Sequence, residues 1–300
     1  MSKFLTINST TASSIEATAS NGDAYFNTDS SEIWVWDTTP VTPDWRKYAS
    51  SGLANTFLNE FSTLFDASTD YLTVSASTTA VKSMSFWIKP TATISASSSS
   101  QGLFGFSGYN FEPGLGAITT ASGVHQQTNP ILGIHGNAGG TYATPGVNGM
   151  PSVISTDWHH IFFHWTNSLS VDASIAGFEI YFNGQLVTAD IKGAPFGLNF
   201  SASTKIGIRG SNSKYFLGYM DEVAVWDVDA SSEITEIYNG GNGPANLMSL
   251  TNQPVHWWRM GDLEGLSDGG TVVNVTDRGT NGTAHAVPFS STTTISSDTP

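Results

Sequence analysis

Apolar residues in this chain come in short runs that alternate with period two, and nearly every run stops at Gly, Asn, Ser, Thr or Pro. Tyr71-Leu72-Thr73-Val74 and Met84-Ser85-Phe86-Trp87-Ile88 alternate as half-buried strands do. The strongest strand signals are residues 158–165 (WHHIFFHW) and 178–182 (FEIYF). The second runs into Asn183-Gly184, a two-residue hairpin signature, before Gln185-Leu186-Val187. Residues 205–208 and 221–226 close the series. One stretch, 231–238, reads as helix, with Ser232 as its cap, Glu233 and Glu236 in the first turns and Asn239-Gly240 as its stop. A chain divided in this way is all-β, a sandwich or jelly roll.

Composition agrees. Charged residues are 12% and aromatics 12% of 300, a poor mixture for surface helices and a good one for strands. The formal net charge of -14 excludes the basic footprint of a nucleic-acid binder. With no cysteine, disulfide frameworks, zinc-thiolate centres and Cys nucleophiles are excluded. Residues 1–8 carry one Lys and then turn polar, without the apolar core of a signal peptide, and no apolar run reaches membrane-spanning length. The expectation is a protein folded in a host cytoplasm and not inserted into a membrane.

Three segments are expected. Residues 1–50 form a small aromatic-rich β-hairpin module, with strands at 4–7, 24–27, 32–36 and 45–48 and a break between Pro40 and Pro43. It holds too little core to stand alone. Residues 51–250 carry the long apolar strands, and residues 251–300 form an extension that packs on them or on a neighbour.

Four motifs within this frame occur in the order of a known family. They are Leu64-Phe65-Asp66-Ala67-Ser68-Thr69-Asp70-Tyr71-Leu72, Met84-Ser85-Phe86-Trp87-Ile88-Lys89-Pro90, Asp157-Trp158-His159-His160-Ile161 with the Ile180-Tyr181-Phe182-Asn183-Gly184 hairpin, and Gly218-Tyr219-Met220-Asp221-Glu222-Val223-Ala224-Val225-Trp226. The chain from about Thr56 to Gly243 resembles the concanavalin A-like, laminin-G-like jelly-roll family, with Ala67 where that family usually has Gly. The flanks resemble other things. Asn21-Gly22-Asp23-Ala24-Tyr25-Phe26-Asn27-Thr28-Asp29, Ile33-Trp34-Val35-Trp36-Asp37 and Trp45 are similar to a small module of tailed-phage structural proteins. Trp257-Trp258-Arg259-Met260-Gly261-Asp262 with Thr276-Asp277-Arg278-Gly279-Thr280-Asn281-Gly282-Thr283 is similar to repeats beside laminin-G-like domains in marine phage proteins.

Glycanases share the jelly roll, so catalysis needs a test. A retaining glycosidase needs two carboxyl groups about 5–5.5 Å apart. The fold's glucanases place them on alternate residues of one strand face, as Glu-x-Asp-x-x-Glu, and this chain has no such triplet. Asp221 and Glu222 are neighbours, which in a regular strand face opposite ways. The expectation is therefore no enzyme. His159 and His160 are read as core and hydrogen-bonding residues rather than metal ligands. Many laminin-G-like domains hold one Ca²⁺ at a sandwich rim, and the resemblance implies Asp66, Asp70 and Asp221 as candidate calcium ligands. The competing reading makes Asp66 and Asp70 turn stabilisers and Asp221 an acceptor at a strand end. Tyr25, Trp34, Trp36, Trp45 and Tyr48 are the candidate partner-binding residues, read as a docking surface in preference to a sugar-stacking platform. Of Trp257 and Trp258, one is expected in the core and the other at an interface.

Together these readings imply a non-enzymatic virion structural protein of a tailed phage, a capsid decoration or fibre component that displays a laminin-G-like domain. Its expected partners are other virion proteins, copies of itself and host-surface glycans. The alternatives are a dedicated carbohydrate-binding adhesin and a polysaccharide hydrolase of the same fold.

Overall fold

The computed structural model describes four strands of the N-terminal stretch and, beyond them, residues 57–67, 69–74, 81–105, 112–115, 131–136, 139–143, 148–165, 178–187, 190–192, 204–208, 214–262, 267–282, 284–288 and 293–300. The chain divides into two compact units, Met1–Phe57 and Leu58–Pro300.

In the first unit the expected hairpin is part of a four-stranded sheet. Ala24–Asn27 and Glu32–Asp37 pair antiparallel, Asp44–Lys47 adds antiparallel beyond them, and Phe4–Ile7 adds in parallel on the other side.

The second unit is a β-sandwich. Its largest sheet runs in the order Gln185–Leu186, Phe178–Phe182, His159–Trp165, Ser83–Pro90, Gly218–Trp226, Ser62–Phe65 and Thr294–Ser296, with His256–Trp258 also paired to Gly218–Trp226. A four-stranded sheet runs Phe104–Gly105, Lys205–Ile206, Leu72–Val74, Ala286–Pro288, and a five-stranded sheet runs Asp190–Lys192, Gly139–Ala143, Leu132–Gly136, Glu112–Leu115, Gln101–Gly102. Ile94–Ser95 pairs with Val153–Ile154. The predicted Asn183-Gly184 turn closes its hairpin with φ of 49° and 74°, pairing Phe182 with Gln185.

Alternation explains the layers. Met84, Phe86 and Ile88, Ile161 and Phe163, and Met220, Val223 and Val225 belong to the sandwich core. Phe86 meets Phe104 of the four-stranded sheet edge to face at 6.0 Å. The intervening residues bury a second layer. Trp87 stacks on Tyr238 of the short helix Ile234–Tyr238, and Phe162 meets Trp226 edge to face. Both faces of the central strands are therefore covered, which is why Ser83–Pro90 and Gly218–Trp226 are buried along nearly their whole length.

The helix is shorter than expected, and Ser232 does not cap it. Ser231–Glu233 forms a 3₁₀ turn instead, and the Asp229 carboxylate accepts from the backbone N–H and the hydroxyl of Ser231. Asn239 does end the helix, in the left-handed conformation at φ 54°. Glu233 accepts from the N–H groups of Thr251 and Asn252, so it ties the following chain to the helix.

Residues beyond 250 complete the sandwich. They supply one strand to the four-stranded sheet and two to the largest one. Gly279 explains part of the flank's pattern: a Cβ there would lie 2.4 Å from the Val255 carbonyl oxygen. This close approach lets Thr280 and Asn281 donate to Pro254 and Val255.

Candidate functional site

The Asp221-Glu222 pair lies at an irregularity. Asp221 pairs with Trp87 but Ala224 with Ser85, so one extra residue is accommodated, and Glu222 takes φ +48°. Strict alternation fails at this point, so the expectation of two side chains on opposite faces of a regular strand does not hold. Both carboxyls are buried in a polar knot. Asn59 donates to Asp221 at 2.9 Å, and the Glu222 N–H donates to Asp221 at 2.8 Å. Glu222 accepts from the Trp257 indole and from Arg259 Nε, the latter at 3.1 Å. Arg259 also donates to Asp262 and to the Leu58 carbonyl.

Burial and then the Glu222 charge raise Asp221 well above the usual carboxylate range. Burial likewise raises Glu222, against the opposing pull of Arg259. Two of the three buried carboxyls, Glu222 and Asp262, share the Arg259 guanidinium, and Asp221 is held by Asn59 and the Glu222 N–H. Such a cluster ties the C-terminal flank to the central strand Gly218–Trp226.

Asp66 and Asp70 lie elsewhere. Asp70 is buried and accepts from the N–H groups of Asp66 at 3.1 Å and Ala67 at 3.0 Å, and its own N–H donates to the Ala67 carbonyl. Ala67 does so without a positive φ, so the usual Gly is not needed here. Asp66 is exposed; partial desolvation first, then the neighbouring Asp70 carboxyl, raise its pKa. Phe65, just before Asp66, pairs with Gly218, three residues before Asp221. The pairing is antiparallel, so Asp66 lies level with position 217, and at about 3.4 Å per residue the four-residue offset separates the Asp66 and Asp221 backbones by roughly 14 Å along the strand. The three implied calcium ligands are thus not brought together. Among the described residues no group of three or more His, Cys, Asp or Glu is placed to hold a metal ion.

The histidines are built into the fold. His160 is fully buried beside Trp87 and Tyr238 with Nε2 2.8 Å from the Ser85 hydroxyl, and burial pushes its pKa down to about 3. His164, on the same strand face, lies 3.0 Å from Asp229 and 3.4 Å from Glu179 through opposite ring nitrogens. His159 looks superficially catalytic: Nε2 is 3.0 Å from Ser155 Oγ and Nδ1 is 3.3 Å from Asn183 Nδ2. The hydrogen-bond network assigns the protons the other way. Asn183 Oδ1 accepts from the His160 N–H, so Asn183 Nδ2 donates to His159 Nδ1 and the ring proton sits on Nε2. His159 therefore donates to Ser155, whose own proton goes to Asp157 at 2.8 Å. A general base would need the opposite arrangement.

Register settles the backbone positions of the aromatics in the first unit. Tyr25 is opposite Trp34, and Trp36 is opposite Trp45. Directly opposed residues share a face, as do residues two apart, so Tyr25, Trp34, Trp36 and Trp45 occupy positions on one face of the sheet. Tyr48 lies outside the described residues.

Some residues the sequence reading missed. Trp257, one of the two indoles divided between core and interface, is buried like Trp258. Asp277 binds His256 at 2.6 Å and accepts from the N–H groups of Trp257 and Gly279, which explains the Asp of the flank's T-D-R-G pattern. Asp298 receives the Trp158 indole N–H and pairs with Lys89.

A family model described as the concanavalin A-like lectin/glucanases superfamily matches residues 66–234. No curated protein matches the sequence. Among solved structures, a candidate carbohydrate-binding protein from Bacteroides ovatus ATCC 8483 is similar at 15% identity and a TM-score of 0.52, over 93% of this chain and 70% of that one. A heptameric SAP-like pentraxin from Limulus polyphemus is similar at 14% identity and a TM-score of 0.43, over 63% of this chain and 87% of that one.

Proposed function

The chain belongs to the concanavalin A-like lectin/glucanases superfamily, and from that premise we propose a non-enzymatic binding and display role on a tailed-phage particle. In this reading the sandwich is a capsid decoration or fibre component, and the N-terminal sheet attaches it to other virion proteins or to further copies of itself. The observation that carries the reading is the common face shared by Tyr25, Trp34, Trp36 and Trp45 in a unit separate from the sandwich. Aromatic residues grouped on one sheet face suit docking, because each buries much area while losing little side-chain freedom. The likeness of both flanks to phage structural modules supports the virion setting.

The absence of an enzymatic role is supported by the engaged state of Asp221, Glu222 and Asp262 and by the proton direction at Ser155. Glycan binding by the sandwich is compatible with display and is the second arm of the proposal, supported by the fold likeness to the Bacteroides protein. Among the described residues no helix is long and apolar enough to cross a membrane.

The test is electron microscopy and protein analysis of purified particles. The protein is expected at a fixed, symmetric position, and Trp34→Ala with Trp36→Ala is expected to abolish incorporation while the sandwich still folds. Particles that lack the protein would overturn the virion role. A glycan array without hits would remove the sugar arm, leaving display in place. Release of reducing sugar from host envelope polysaccharide, lost on a single carboxylate change, would overturn the non-enzymatic reading.

A further inference from the structure

The chain enters the sandwich at Leu58, and the turn at residues 259–262 grips it there. The Asp262 Oδ1 accepts from the backbone N–H groups of Glu60 at 2.9 Å and Phe61 at 2.8 Å. Arg259 Nη2 donates to the Leu58 carbonyl and, at the same time, to the other oxygen of Asp262. The Met260 carbonyl accepts from the Thr63 hydroxyl at 2.7 Å. Met260 and Gly261 take positive φ values of 51° and 135°, and a Cβ on Gly261 would come within 3.1 Å of the Phe61 Cβ. The turn is thus shaped to the segment it holds.

Residues 58–61 lie outside any strand, so their backbone groups have no ladder to join. Side chains from about 200 residues away in sequence take the place of ladder partners, a charged acceptor for two N–H groups and a charged donor for one carbonyl. The turn is held in its own place by the pairing of Arg259 with Glu222 and by the strand His256–Trp258. These contacts form one chain, from the bulge at Glu222 through Arg259 and Asp262 to residues 58–61.

We propose that the 259–262 turn is a clamp which couples the entry segment 58–61 to the C-terminal flank, so that the two dock and release as one cooperative unit. The entry segment 58–61 is then held only while the flank is folded. Opening of the 259–262 turn frees residues 58–61 without unfolding the central strands. Partial openings of this kind follow contiguous packed units and need not involve the whole domain.

Hydrogen exchange on the full chain tests this. Asp262→Ala is expected to speed exchange at the Glu60 and Phe61 amides at least ten-fold, with the amides of Ser83–Pro90 and His159–Trp165 unchanged. Asp277→Ala, which alters the same flank without touching 58–61, distinguishes the clamp from general loosening, because its effect is expected to begin at Trp257 and Gly279. Should Asp262→Ala fail to fold, the wild-type protein in a gradient of sub-denaturing urea answers the same question. The amides of Glu60 and Phe61 are expected to open together with those of Asp262 and Val272, before the central strands. Unchanged exchange at 60 and 61 in Asp262→Ala, or their opening independently of the flank in urea, would overturn the proposal.

Discussion

Arg259 and Glu222 meet at 3.1 Å with their side chains 7% and 2% exposed, and the contact joins the C-terminal flank to the bulge in the central strand Gly218–Trp226. Such a pair is asymmetric in its energetics. Making it recovers little beyond the cost of taking both charges out of water, whereas breaking it leaves one charge buried without compensation. Its value lies in specifying where the flank docks. An apolar contact of equal size would tolerate a shifted register, while a guanidinium held among Glu222, Asp262 and the Leu58 carbonyl does not.

Arg259→Ala is accordingly expected to cost about 3–5 kcal/mol, since Glu222 and Asp262 lose their shared cation. Glu222→Gln is expected to cost less, because it keeps a polar acceptor for Trp257 and removes one of the three crowded carboxyls. Urea denaturation measures both, with the m-value checking that the transition stays two-state. Equal stability of Arg259→Ala and wild type would show that the pair specifies nothing.

Gly279→Ala probes the other half of the flank. The added methyl meets the Val255 carbonyl and the His256 backbone, which are fixed by strand pairing and by the His256–Asp277 contact. Overpacking against backbone costs about 1–3 kcal/mol or more. A fall in Tm is expected, accompanied by faster exchange at the Thr280 and Asn281 amides that donate to Pro254 and Val255.

Calcium at the rim, as a proposal, reduces to the Asp66–Asp70 turn. The Asp70 carboxyl raises the free energy of the charged form of Asp66, and either a cation or loss of the Asp66 charge relieves that. Asp66→Asn is therefore expected to raise Tm in calcium-free buffer. Millimolar Ca²⁺ is expected to raise the wild-type Tm and to leave the variant unmoved. Identical calcium responses in the two proteins would sink the assignment.

Much of this architecture is legible in the residue order, and the limits follow from the range of the interactions. Period-two alternation marks the strands around Leu72 and Phe86, and Asn183-Gly184 marks its hairpin through the positive φ that such a pair adopts cheaply. The bulge at Asp221-Glu222 leaves no such trace, because Glu222, the residue at positive φ, is not a usual occupant of the left-handed region. Nor does Arg259 announce partners at Leu58 and Glu222. Those contacts are decided by three-dimensional closure, and local propensity does not encode them. The same holds for Trp257 and Trp258, which a regular strand would divide between core and interface but which are both buried, the Trp257 indole donating to Glu222.

Acid stability should report on His160. Burial holds its pKa at about 3 against an ordinary 6.5, so between those values the unfolded chain carries a proton that the folded one rejects. Its contribution is full above pH 6.5 and is lost progressively as pH falls toward 3. In that window it adds up to ~1.4 kcal/mol of lost stability per pH unit. The ring cannot respond by turning to solvent, because Trp87 and Tyr238 lie against it and Ser85 takes Nε2. His160→Asn removes the titrating group, so the variant should start less stable at pH 7.5, from the lost packing, yet lose less on acidification. The stability difference between the two proteins is therefore expected to narrow between pH 6.5 and 4, read from urea midpoints at constant m. A difference that stays constant across that range would mean that His160 is protonated in the folded protein as readily as in the unfolded chain.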